Sequence, residues 1–98
     1  MTFVGKVSDV APGQLLAVSV DGHPVAVANL DGQLFAIGDL CTHRGCSLSE
    51  GTLVGSVVVC HCHGGEFDVT NGDVVGGPPP EPVKVYPVQM SGDEFRIG

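Results

Sequence analysis

Basic residues are scarce in this chain of 98 residues: four Lys and Arg stand against eleven Asp and Glu, for a net charge of −7. A polyanionic duplex would be repelled, so nucleic-acid binding is excluded as a reading. Long apolar runs are missing too. None approaches the roughly 18 residues that a membrane-spanning helix needs. The stretch Met1-Thr2-Phe3-Val4-Gly5-Lys6-Val7 carries neither a signal-peptide nor a twin-arginine pattern. A soluble, cytoplasmic protein is the expectation. Low-complexity tracts and internal repeats are absent, and a hydrophobic fraction of 43% argues against disorder. The length leaves room for a single domain over residues 1–98.

Helical periodicity is the next absence. No window of roughly 11 residues carries a convincing 3.6-residue repeat. What is there instead is a set of short alternating or β-branched runs at 3–7, 14–20, 24–29, 34–37, 57–60, 66–69, 83–90 and 94–97. Each reads as a strand. Pro12-Gly13, Asp21-Gly22, Asp31-Gly32, Asn71-Gly72 and Gly92-Asp93 separate them, and Asp-Gly or Asn-Gly suits a tight hairpin because it tolerates positive φ. The fold class expected is all-β, a small antiparallel β-sandwich or barrel. Two segments interrupt the rhythm: about 40–67, and the Gly/Pro run 76–80. They suggest a scaffold built from both chain ends, with a metal-binding insertion between them.

All four cysteines (Cys41, Cys46, Cys60, Cys62) and three of the four histidines (His43, His61, His63) fall in that insertion. Small disulfide-stapled proteins spread their cysteines along the chain, whereas one cluster with His interleaved indicates a metal site. Cys41-Thr42-His43 and Cys60-His61-Cys62-His63 would each bring one thiolate and one imidazole to a common point. Such donors suit zinc or an iron–sulfur cluster and do not suit calcium or magnesium. A structural Cys₂His₂ zinc site is one solution, although zinc fingers of that composition usually pair like with like. A [2Fe–2S] cluster with two His on one iron and two Cys on the other is the second.

Cys41-Thr42-His43-Arg44-Gly45-Cys46 and Cys60-His61-Cys62-His63-Gly64-Gly65 resemble the two cluster-binding loops of Rieske [2Fe–2S] proteins. The resemblance spans the whole chain, including the Pro-rich segment downstream. It implies the Rieske fold, an antiparallel β scaffold with an inserted cluster-binding subdomain. It also implies one [2Fe–2S] cluster, with Cys41 and Cys60 on one iron and His43 and His63 on the other, the His pair near solvent. Two imidazoles in place of two thiolates leave less negative charge on the reduced site, which eases reduction relative to a Cys₄ ferredoxin. Cys46 and Cys62 match the positions where respiratory members carry a disulfide joining the two loops. His61 is expected to face outward, His23 carries no role, and Arg44 reads as solvated. Pro78, Pro79 and Pro80 are expected to form a stiff cover, since proline fixes φ.

Respiratory members carry Ser two residues and Tyr four residues after the second His ligand, hydroxyls that stabilise the reduced cluster. Gly65 and Phe67 stand there and offer none. In this the chain is similar to the Rieske ferredoxins of ring-hydroxylating dioxygenases, although many of those lack the Cys46/Cys62 pair. An enzyme in its own right is not expected: there is no G-x-G-x-x-G for a nicotinamide or flavin, and only His23 and His61 remain for a second iron. The resemblance implies a monomeric one-electron carrier between a flavoprotein ferredoxin reductase and a terminal oxygenase, with the −7 charge steering it to basic patches. The alternatives are a Rieske subunit of another oxidoreductase, of nitrite, arsenite or respiratory type, and a structural zinc module.

Overall fold

The computed structural model describes residues 3–40, 46–61, 64–77 and 81–97. Eleven strands run through them: β1 (Phe3–Lys6), β2 (Leu15–Val20), β3 (His23–Leu30), β4 (Gln33–Gly38), β5 (Thr52–Val54), β6 (Val57–Val59), β7 (Glu66–Asp68), β8 (Val74–Gly76), β9 (Val85–Tyr86), β10 (Val88–Ser91) and β11 (Glu94–Ile97). They form three sheets, ordered β1-β11-β10, β2-β3-β4-β9 and β5-β6-β7-β8. Every strand pairing is antiparallel. The all-β expectation holds.

The central sheet is set by its turns. Val20 pairs with His23 and Leu30 with Gln33, leaving Asp21-Gly22 and Asp31-Gly32 as two-residue connections. Both residues of each have positive φ, 54° and 81° in the first and 54° and 96° in the second. That backbone matches the right-handed twist of the flanking strands, and Asp-Gly adopts it at little cost.

This sheet is covered on both faces. Along β3, Val25 and Val27 join Val10, Val20, Leu34, Ala36, Phe95 and Ile97 in one apolar cluster beneath the β1-β11-β10 layer. Ala26 and Ala28 point the other way, into a second cluster with Ile37, Leu48, Val58, Cys60, Phe67, Val69 and Val83. Strand side chains alternate between faces, so a strand with partners on both sides reads as an unbroken apolar run. The result is a three-layer stack.

Strands β5 and β8 lie outside the sequence-based strand set, because three residues are too few to show a period of two. The run at 83–90, expected as one strand, is two. It breaks at Pro87, which has no N–H to donate. Before the break β9 pairs with β4; after it β10 pairs with β11. One segment thus steps from the central sheet to the terminal layer. Between Gly38 and Val85 the chain leaves the central sheet and builds the third one.

Candidate metal centre

The described residues fix the bases of two loops. The first lies between Leu40 and Cys46, and its base is closed by a bridge between Leu40 and Ser47. Below that bridge the carbonyl of Asp39 accepts the Leu48 N–H at 2.6 Å, and the Asp39 N–H donates to the Pro24 carbonyl at 3.1 Å. The Asp39 side chain is 4% exposed. Its Oδ1 accepts the Ser49 N–H at 2.7 Å and its Oδ2 accepts the Ser49 hydroxyl at 2.9 Å. One residue therefore ties the outgoing strand to the returning chain three times.

The second loop joins β6 to β7. The Cys60 N–H donates to the Gly65 carbonyl at 2.7 Å, and the Gly64 N–H donates to the Cys60 carbonyl at 3.1 Å. Gly64 takes φ +71°, the left-handed conformation that lets the chain reverse there. Cys60 is 1% exposed and forms no disulfide. It packs among Phe67, Val58 and Leu48, with half-buried Cys46 at the margin of the same cluster. Cys46 is disulfide-bonded.

Gly77 leads into the Pro-rich segment and seats against the second loop. A Cβ there would lie 2.8 Å from the Gly64 carbonyl oxygen and 2.8 Å from the Gly65 Cα, and the residue holds φ +82°. Only glycine allows that approach. Gly65 is buried, and Phe67 is fully buried in the core beside Cys60. His61 is exposed, as is Leu40, at 49%, beside the first loop.

Of the residues singled out from sequence, Cys46, Cys60, His61, His23, Gly65 and Phe67 are thus located. Cys41, His43, Arg44, Cys62, His63 and Pro78–80 lie outside the described residues. Sequence reasoning passed over Asp39 and Ser49. They are ten positions apart across a loop, and no spacing rule joins an Asp to a Ser at that distance.

The described donor fits an iron–sulfur cluster. Cys60 offers a soft sulfur ligand, buried away from water, on a backbone pinned at both its N–H and its carbonyl. A Rieske [2Fe–2S] domain model matches residues 1–87. The chain belongs to the Rieske [2Fe–2S] family. Its cofactor is a Rieske-type [2Fe–2S] cluster.

Close relatives narrow the family. The chain is 50% identical to the biphenyl dioxygenase ferredoxin subunit of Pseudomonas sp. strain KKS102, over 99% of this chain and 92% of that one. It is similar in structure to the carbazole 1,9a-dioxygenase ferredoxin of Nocardioides aromaticivorans IC177. That match has TM-score 0.93 and 32% identity, and covers 97% and 93% of the two chains. A chain from a complex of reduced oxygenase and oxidised ferredoxin in carbazole 1,9a-dioxygenase matches at TM-score 0.92 and 37% identity, over 99% and 92%. These Rieske relatives are electron-transfer components and not the catalytic oxygenases. Among the described residues no helix is long and apolar enough to cross a membrane.

Proposed function

We propose that this chain is the one-electron carrier of a multicomponent aromatic-ring dioxygenase. It takes electrons from an NAD(P)H-dependent flavoprotein reductase and gives them to the terminal oxygenase. The 50% identity to a biphenyl dioxygenase ferredoxin subunit across nearly the whole chain carries this reading. The fold match to a ferredoxin–oxygenase complex supports the oxygenase as partner.

In this reading Cys41 and Cys60 hold one iron, and His43 and His63 hold the other. The cluster, when bound, supplies a one-electron couple. The chain's residues set how that couple behaves. Buried Cys60 keeps its sulfur away from water, while Gly65 and Phe67 offer no hydroxyl to a cluster or ligand sulfur. Fewer donors leave the reduced state less stabilised, so the midpoint is low. An EPR-monitored redox titration of anaerobically purified protein tests this. A reduced-state Rieske signal with a midpoint near the bottom of the roughly −150 to +300 mV range is expected. A midpoint well above zero would point to a respiratory-type carrier. Zinc with no EPR signal would end the electron-transfer account.

The partner of Cys46 in this reading is Cys62. The disulfide-bonded state of Cys46 and the absence of a disulfide at Cys60 support the pairing. It would close a loop of about 15 residues, worth about 3 kcal/mol in the chain-entropy model. Thiol counting on denatured, non-reduced apoprotein should find two reactive thiols per chain, and four would sink the pairing. The ligand loops belong to the segment at about 40–67 of a single domain, and the 76–80 segment covers them. The carrier works as a monomer in the cytoplasm, where its reductase has access to NAD(P)H. Recovery from the periplasmic fraction would overturn that location.

A further inference from the structure

Asn71-Gly72 has no part in the electron-transfer account, yet the pair carries a reaction of its own. In a free chain the nitrogen of a glycine that follows asparagine attacks the asparagine side-chain amide, because glycine has no Cβ to obstruct the approach. A bond forms between the Gly72 nitrogen and Asn71 Cγ, the Cγ–Nδ2 bond breaks, and ammonia leaves with the backbone amide proton. The product is a five-membered succinimide, which water then opens. Opening at the side-chain carbonyl leaves aspartate. Opening at the main-chain carbonyl leaves isoaspartate, with the backbone rerouted through Cβ and Cγ. The other asparagine, Asn29, is 2% exposed and precedes Leu30, so the reaction falls to Asn71.

The turn between β7 and β8 holds both reacting groups. Asn71 is exposed, and its Oδ1 accepts the Asp73 N–H at 2.9 Å. That bond polarises the side-chain carbonyl and would help attack on Cγ. The nucleophile is held back. Gly72 is buried at φ +78°, and its N–H donates to the Asp68 carbonyl at 2.6 Å. Attack requires that nitrogen to give up its proton, which a buried, bonded N–H cannot pass to water. Gly72 is pinned in turn by Val83: its carbonyl accepts the Val83 N–H at 3.0 Å, and a Cβ on it would overlap the Val83 carbonyl oxygen. The Val83 side chain, 7% exposed, is buried in the cluster with Phe67 and Val69. A core residue from a distant part of the chain thus holds the turn shut.

We infer that Asn71 is a deamidation site gated by the fold, closed while Gly72 is bonded to Asp68 and Val83 and opened by local release of the turn. Opening breaks two backbone hydrogen bonds and one apolar contact, far less than unfolding the sheets, so the gate is local. Isoaspartate adds a backbone methylene and a carboxylate where Gly72 has no space to shift. The gate cannot then close as before.

The experiment is incubation of oxidised holoprotein in mildly alkaline buffer. Peptide mass mapping locates the mass gain of an amide turned carboxyl, and an isoaspartate methyltransferase confirms the product. Asp21-Gly22 and Asp31-Gly32 can form the same ring but return to their starting mass. Folded wild type should modify Asn71 at least about tenfold more slowly than the same chain unfolded in urea. V83A should speed the reaction several-fold in folded protein. V27A, an equal truncation in the opposite core cluster, should leave it unchanged. Matching rates in folded and unfolded chains would overturn the proposal. So would V83A reacting no faster than V27A, since no local gate would then run through Val83. Should V83A fail to fold, amide hydrogen exchange of wild type decides. Gly72 exchanging faster than Ala26 in the middle of β3 upholds the local gate, and the two exchanging together overturns it.

Discussion

The two faces of the central sheet are built on different terms. Beneath the β1-β11-β10 layer the core is mainly apolar, with Val25 and Val27 from β3 packed under Phe95 and Ile97, and buried Asn29 on the same strand donates its amide to the Val10 carbonyl at 2.7 Å. That layer pairs in registers of four residues. On the opposite face β3 presents alanines, Ala26 and Ala28, and the sheet they meet is made of three-residue strands with a register shift between Glu66 and Phe67. Small side chains let that layer come close, and short strands leave most of its length to loops. The first face is organised for stability. The second keeps a buried thiol and a buried carboxylate in position, which a purely apolar core would not require.

That contrast can be broken by matched truncations. Phe95 and Phe67 are both essentially fully buried, one in each cluster. F95A and F67A should each destabilise the fold by about 3–5 kcal/mol through lost burial and the cavity left behind. Urea unfolding would measure it. Cluster behaviour should then separate them. In protein still folded at low urea, F67A should shorten the half-life of cluster absorbance, because Phe67 packs beside Cys60, and F95A should leave it unchanged. Equal loss in both would mean that the two faces are energetically one.

Glycine substitutions sharpen the comparison at lower cost. Gly92, in the β10–β11 turn, has φ +62° and nothing within 4 Å of an added Cβ, so G92A should cost about 1–2 kcal/mol of backbone strain and no more. Gly77 carries similar strain at φ +82° and would also press its Cβ on Gly64 and Gly65. G77A should therefore lower thermal stability further than G92A. It alone should speed cluster release into a chelator. The same release rate in both variants would show that the contact between Gly77 and the Cys60 loop carries no weight.

Legibility in the sequence followed the same division. The hairpins of the central sheet were readable because Asp21-Gly22 and Asp31-Gly32 are local signals that dictate positive φ regardless of what packs nearby. Strand β11 was readable for a related reason: its buried Phe95 and Ile97 alternate with exposed Glu94 and Arg96. Strands β5 and β8 were not, since three residues acquire their extended form from the neighbours that pair with them. Pro87 was in plain view, but its effect depends on which sheet lies to either side. For the metal centre, residue type and spacing are what propose the ligand loops. The bond between Asp39 and Ser49 stayed hidden, being a product of how the loop closes.

The clasp of the two chain ends has a consequence in time. Phe3 pairs with Ile97 and Lys6 with Glu94. While the polypeptide emerges from the ribosome, β1 has nowhere to go until β11 has been made. Val25 and Val27 must wait uncovered on one side of the sheet for the same event. Long-range pairing of this kind is slow, and an exposed apolar sheet face invites association with other nascent chains. The hairpins of the β5-β6-β7-β8 sheet need only residues already released, so that side can assemble early. The last step of maturation is then the closing of the terminal layer.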